Sequence, residues 1–285
     1  MARPPRIEFA GAVYHVSSRG DGGMAVFADD TDREALLSVI NQAMQRFDAE
    51  VLAYCLLDDH YQLLLFTRQA NLSKLMRHIN GVFTQNHNRR HGSGGHVFQG
   101  RFKAVLVDRD TLLLDVCRYV DLSSQRLGMS RHASDWRWSS CRAHLGLEPA
   151  LDWLDVQGLH SHLLGRLAST PADHRRAAER YARLLAAEPR LELWPSHLHH
   201  QIFLGDEQFV ARMQAMARQR RRGASQPRSA RGRPFAQWLQ ETGSREQALY
   251  RAHTEGGVSM TALAGELGLS VSRVSRLIRN AEHAR

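Results

Sequence analysis

The first 130 residues of this 285-residue chain predict an α+β fold: a ferredoxin-like split βαβ domain, with an antiparallel sheet and helices on one face. Three patterns carry the prediction. Four short segments alternate with period 2, the segments between them carry apolar stripes at helical spacing, and a two-residue acidic turn folds two strands directly onto each other. The order reads β-α-β-β-α-β, followed by a further helix.

Residues 12–18, "AVYHVSS", alternate as a half-buried strand and end at Arg19-Gly20. Asp29 to Asp32 offer N-cap oxygens for "DREALLSVINQAMQRF", where Leu36, Leu37, Ile40, Ala43, Met44 and Phe47 form one stripe. "EVLAYCLL" and "HYQLLLF" follow as strands joined through Asp58-Asp59. Asn71 is placed to cap a helix whose stripe is Leu72, Leu75, Met76, Ile79 and Phe83. Its basic end runs into "GSGG", after which "FKAVLV" reads as a strand and "TLLLDVCRYVDL" as a helix.

Beyond this domain (1–130) the pattern predicts a helical extension (131–220), with helices over "DWRWSSCRAHLG", "LHSHLLGRLA" and "PADHRRAAERYARLLAAE", and another over 207–220. Residues 212–233 hold eight Arg and no acid, and the Gly, Ser and Pro among them predict a basic linker over 221–234. Residues 235–285 predict a helix-turn-helix. Ser259 can cap "MTALAGELG", Gly268-Leu269-Ser270 turns, and "SVSRVSRLIRNAE" turns Val271, Val274 and Ile278 inward while Ser272, Arg273, Arg276 and Arg279 face out.

The chain carries 38 Lys plus Arg against 29 Asp plus Glu, and all but two of the cations are Arg, whose planar fork suits phosphate. Nucleic acid is therefore the first partner to expect. Cys55, Cys117 and Cys141 are far apart and odd in number, which predicts buried thiols rather than zinc ligands or disulfides. No apolar run approaches the ~18–20 residues that span a bilayer, so the expectation is a soluble, cytoplasmic, nucleoid-associated protein.

Period-2 geometry puts His60, Gln62, Leu64 and Phe66 on one face of their strand and Tyr61, Leu63 and Leu65 on the other. His60 and Gln62 are then roughly 6–7 Å apart at Cα, near enough to converge on one ion. One His beside one Gln fits packing and hydrogen bonding equally well. Asp58 and Asp59 are read as turn residues, and His15 as a strand residue that makes a hydrogen bond.

The runs "SRG", "AYCLLDDHYQLLL", "NLSKLMRHINGVFTQNHNRRHG", "GHVFQGRFKAVLV", "CRYVDLSSQRLG" and "WRWSSCRAHLG" resemble the single-tyrosine HUH transposases, in particular the REP-associated tyrosine transposase branch. The resemblance covers about residues 11–146. It implies that Tyr119 attacks a DNA phosphate, leaving a 5′-phosphotyrosine and a free 3′-OH. In that family a His-hydrophobe-His pair and an Asn or Gln four residues after the Tyr hold a divalent metal. Here the metal positions fall on His60, Gln62 and Ser123, so two of three depart from the pattern.

A phenol with a pKa near 10 needs help against a phosphodiester, and Gln62 offers only a neutral oxygen suited to Mg²⁺ or Mn²⁺. Gln125 points away from Tyr119 at 100° per residue. Arg89, Arg90, Arg101 and Lys103 are the expected phosphate contacts of this domain. The family includes monomers and homodimers. Two functions follow: a strand-transfer enzyme acting on single-stranded or hairpin DNA with a degenerate metal site, or a DNA-binding protein descended from one that no longer cleaves.

Overall fold

The computed structural model of the chain describes residues 7–189, 191–225, 234–256, 258 and 260–283. The cap assigned to Ser259, residues 226–233 of the expected linker and the side chain of Arg279 lie outside the described residues. Backbone packing divides the chain into two compact units, Met1–Gln214 and Ala215–Arg285. No break falls near residue 130, where the sequence drew a domain boundary.

The first unit holds β1 (Ala12–Arg19), α1 (Asp30–Phe47), β2 (Ala49–Leu57), β3 (His60–Thr67), α2 (Leu72–His91), β4 (Lys103–Val107), α3 (Arg109–Asp121) and α4 (Ser123–Arg126). It continues through α5 (Cys141–His144), α6 (Val156–Leu164), α7 (Pro171–Ala187), α8 (Trp194–His197), β5 (Leu198–His199) and β6 (Phe203–Leu204) into α9 (Glu207–Ser225). The sheet order is β2-β3-β1-β4-β6-β5. The first four strands are antiparallel in the split βαβ arrangement, and β6 joins β4 in parallel.

The seven elements expected over residues 12–122 all form. Asp29 caps α1 by accepting from the Asp32 backbone N–H. Asn71 stands at the N-cap of α2 but does not cap it: its Nδ2 donates to the Phe47 carbonyl at 2.8 Å, tying the two helices' ends together.

α1 and α2 cover one face of the sheet, where Tyr14, Val16, Leu56, Tyr61, Leu63 and Leu65 meet Leu36, Ile40, Leu75, Ile79 and Phe83. The opposite parity, Val13, Ala53, Cys55, Leu57, Leu64 and Val107, packs on α3 and on residues of α6 and α7 such as Leu159, Ala177 and Tyr181. The extension thus shares a core with the sheet, which is why the first unit runs on to Gln214.

"DWRWSSCRAHLG" departs from the helix expected there, being helical only over Cys141–His144. Its Trp side chains and backbone serve the outer edge of β2 instead. Trp136 Nε1 donates to the Leu56 carbonyl at 2.9 Å, Leu56 N–H donates to the Trp138 carbonyl at 2.8 Å, and Ser140 N–H donates to the Tyr54 carbonyl at 2.9 Å. An open strand edge is satisfied this way without another regular strand. α9 carries helix five residues into the segment expected as linker.

The second unit contains α10 (Phe235–Thr242), α11 (Arg245–Thr254), α12 (Met260–Leu267) and α13 (Val271–His283) around Trp238, Ala248, Leu249, Leu263, Ala264, Val274 and Ile278. Gly268 at φ +63° turns the chain between α12 and α13, a conformation that favours glycine, and Leu269 N–H closes on the Ala264 carbonyl at 2.9 Å. Val274 and Ile278 are buried, whereas Val271, expected inward, is 43% exposed. No helix among the described residues is long and apolar enough to cross a membrane.

Candidate active site

His60 opens β3 and Gln62 follows on the same face, the one that carries Leu64 and α3. The β1 register sets Ser17 opposite Gln62 and His15 opposite Leu64, so His15 shares that face. Their polar ends make a chain across the sheet. Asp59 Oδ1 binds His60 Nδ1 at 2.6 Å, His60 Nε2 meets Gln62 Nε2 at 3.2 Å, and Gln62 Oε1 meets His15 Nε2 at 3.0 Å. One assignment satisfies every link: His60 donates from Nδ1 to Asp59 and accepts from the Gln62 amide, whose oxygen accepts from His15. Asp59, a turn residue, therefore also fixes His60. Partial burial pushes its carboxyl up, but the hydrogen bond from His60 and the guanidinium of Arg19 outweigh that and hold it below the usual carboxylate range.

Tyr119 descends on this chain from α3. Its ring is edge-on to His15 at 6.0 Å and to Trp194 of α8 at 4.9 Å, while His15 and Trp194 are 5.0 Å apart. The Arg126 guanidinium covers the Tyr119 ring at 3.7 Å from its centroid. Its nitrogens donate to the Tyr119 carbonyl at 2.9 Å and to Ser123 Oγ at 3.0 Å. Burial lowers the pKa of Arg126, against the pull of Tyr119 and Cys55. No carboxylate among the described residues pairs with it. The Tyr119 hydroxyl is reached only by the Arg126 guanidinium among the described residues.

The expected metal ligands His60, Gln62 and Ser123 make hydrogen bonds within the protein. Ser123 turns its hydroxyl back to donate to the Tyr119 carbonyl at 3.0 Å while accepting from Arg126. A divalent ion on Ser123 Oγ would lie within about 5 Å of that guanidinium, a repulsion of about 7 kcal/mol at an effective dielectric constant of 20. His60 Nε2 and Gln62 Oε1 are likewise engaged, by the Gln62 amide and by His15. Gln125 is no substitute, since its Oε1 accepts from the Ala133 backbone at 3.0 Å.

Across the sheet, Asp32, His87 and His91 bring three possible metal-ligand atoms within 4.8 Å of one another. Arg90 already supplies positive charge there, at 2.6 Å from Asp32 Oδ1 and in a second ion pair with Asp29. That corrects the expectation for Arg90: it ties α2 to the start of α1 and is not a free phosphate contact. Arg89, Arg101 and Lys103 are exposed and carry no ion pair among the described residues. Lys103 pairs in register with Ser17, on the face of Gln62. In α13, Ser272, Arg273 and Arg276 are exposed, as expected. His96 is exposed, and its neighbour Phe98 packs edge-on to Tyr61 at 5.7 Å, so "GHVFQG" anchors the loop that returns to β4.

His15, Trp194 and Arg126 are the site residues that sequence reasoning missed. For Arg126 a signal was present, because seven residues after Tyr119 is two helical turns and the same face. For Trp194 there was none.

Burial pushes the His15 imidazole down to about 4, against the Gln62 hydrogen bond and with help from the charges of Arg126 and His60. Unfolded, its pKa is about 6.5. The unfolded chain thus binds the extra proton between these values, and stability present above ~6.5 falls as pH drops toward 4. His160, lowered chiefly by burial, acts in the same direction. The urea-derived stability should fall by about 2 kcal/mol from His15 between pH 7.5 and pH 5, and His15→Gln should remove that part; the same pH slope in the variant would refute the assignment.

Residues 11–122 match the family model described as "Transposase IS200 like". A comparison with curated proteins gave no match. Among solved structures, a REP-associated tyrosine transposase bound to a REP hairpin aligns with 54% of this chain and 94% of its own at 18% identity and a TM-score of 0.45. A candidate transposase from Deinococcus radiodurans R1 aligns over 42% and 96% at 16% identity, TM-score 0.31. A tRNA(His) guanylyltransferase from Saccharomyces cerevisiae aligns over 70% and 86% at 9% identity, TM-score 0.32. The family match spans the four antiparallel strands, α1, α2 and the whole of α3 with Tyr119, so that over residues 11–122 the chain is similar to the IS200-like transposases.

Proposed function

We propose that this protein cleaves and rejoins DNA strands, binding single-stranded or hairpin DNA on the α3 face of its sheet and cutting it with Tyr119. The Tyr119 oxygen attacks phosphorus, the P–O3′ bond breaks, the 3′-oxygen takes up a proton, and the 5′-phosphate stays on the tyrosine. Rejoining runs the same steps backwards with an incoming 3′-OH. The observation that carries this reading is the treatment of Tyr119: its ring is gripped by His15, Trp194 and Arg126, and among the described residues only the Arg126 cation reaches its hydroxyl. A cation beside a phenol favours the deprotonated oxygen that attacks, and no carboxylate or carbonyl competes for that oxygen among the described residues.

The second unit is the duplex reader in this proposal. α13 would enter the major groove and offer Ser272, Arg273, Arg276 and Arg279 to bases and phosphates. Deleting residues 235–285 should weaken duplex binding at least ~10-fold and flatten its salt dependence, as read by fluorescence anisotropy. Equal affinity after the deletion would remove the helix-turn-helix assignment.

A second reading, DNA binding without cleavage, is favoured by the mutual hydrogen bonding of His60, Gln62 and His15, which leaves the family's metal donors engaged. Denaturing-gel capture of a labelled, randomised single-stranded pool separates the two. The first reading predicts a protein–DNA adduct that survives denaturant; persistent binding without one, with Mg²⁺, with Mn²⁺ or in chelator, would select the second.

A further inference from the structure

We infer that Arg126 is the cation that receives the DNA phosphate beside Tyr119, so that the guanidinium stacked on the Tyr119 ring is an anion site for a phosphodiester. The inference rests on the strand-cleaving reading for its chemistry, but its binding half stands alone.

Three observations lead there. The guanidinium lies 3.7 Å from the centroid of the Tyr119 ring, so its charge sits beside the phenol that would become bonded to phosphorus. Two of its nitrogens are fixed, by the Tyr119 carbonyl and by Ser123 Oγ, which holds the group in place without neutralising it. No acid balances it among the described residues. The closest carboxylate in sequence, Asp121, is committed to Ser140, His144 and Tyr181.

A half-buried cation without a counter-ion is poised for an anion, and a guanidinium suits phosphate because its fork can serve one anion with several N–H groups. Ser123 then acquires a different role from metal ligation. Standing where the family places a longer ligand, its hydroxyl positions the arginine. In the reaction written above, Arg126 would stabilise the charge on the non-bridging oxygens as the Tyr119 oxygen closes on phosphorus. Positive charge would then be supplied by the chain itself, beside ligand positions whose donor atoms are engaged with one another and with Arg126.

The test uses the full chain and the randomised single-stranded pool. In wild type the adduct should form to within about twofold in chelator and in Mn²⁺, and Arg126→Gln should lower it at least ~100-fold, with Arg126→Lys recovering part of the loss. Binding is measured separately in the Tyr119→Phe background. There Arg126→Gln should cost at least ~10-fold in affinity and reduce the salt slope by about 0.7, the share of one phosphate contact on a single strand. A thermal melt confirms that the variants are folded, and the charge-retaining lysine variant keeps the comparison usable if the glutamine does not fold. An adduct that needs Mn²⁺, or an unchanged salt slope without Arg126, would overturn the inference. If wild type forms no adduct under any condition, the cleavage reading fails while the salt slope still decides the anion site.

Discussion

Replacing Asp121 with alanine is expected to destabilise the first unit by about 3–5 kcal/mol, the range for removing one partner of a buried charge network. Asp121, Ser140, His144 and Tyr181 are all fully buried. One carboxylate serves three elements: Oδ1 accepts from Ser140 at 2.5 Å, while Oδ2 meets His144 Nδ1 at 2.7 Å and accepts from the Tyr181 hydroxyl at 2.7 Å. Alanine would leave an imidazole and a phenol without side-chain partners in a buried site, while the Ser140 hydroxyl would keep its bonds to the Tyr54 backbone. His144 Nε2 already lacks a partner, so losing the Nδ1 bond would leave the whole buried ring unsatisfied. Asp121→Asn, which keeps an acceptor, should lose about half as much. Urea unfolding followed by tryptophan fluorescence reads both, and a loss below about 1 kcal/mol for the alanine variant would show that the network relaxes. Because Asp121 is two residues from Tyr119 and ties α3 to α5 and α7, the variant should also loosen the helix that presents the phenol.

Tyr119→Phe should have the opposite profile. Stability should stay within about 0.5 kcal/mol of wild type, since phenylalanine keeps the ring contacts to His15 and Trp194 and the stacking of Arg126. Covalent capture of DNA should fall below about a thousandth of wild type, because the attacking atom is gone and no neighbouring hydroxyl can replace it. Affinity for the same single strand should change by less than about twofold. A loss of affinity equal to the loss of adduct would make Tyr119 a binding residue. A surviving adduct would move the nucleophile elsewhere.

The four longer strands and three longer helices over residues 12–121 were legible because each repeats its period over several residues and several carry their own stop: Arg19-Gly20 after β1, Asp58-Asp59 between β2 and β3, Gly92 after α2. The parity that sends His60 and Gln62 to one face and Tyr61 to the other followed from geometry alone. β5 and β6 were not legible, since two residues each give no period. They exist because β4 offers an open edge, with Leu106 N–H donating to the Ile202 carbonyl and Asp108 N–H to the Leu204 carbonyl. "DWRWSSCRAHLG" was misread for a related reason: its tryptophans, Trp136 and Trp138, stand two apart as in a strand, and an edge strand 80 residues earlier takes up their segment's hydrogen bonds. At the site, Tyr119, His60 and Gln62 came from motif and period. The use of Ser123 and the arrival of His15 and Trp194 depend on strand register and on the packing of the extension, neither of which is a local property of the chain.

The central claim, that Tyr119 bonds to a DNA 5′-phosphate, is tested most directly by locating the bond. After capture of the labelled pool and digestion with trypsin and nuclease, the account predicts a nucleotide mass on the peptide Tyr119–Arg126, carried by Tyr119. A nucleotide on another residue, or a captured fraction with no modified peptide, would contradict it.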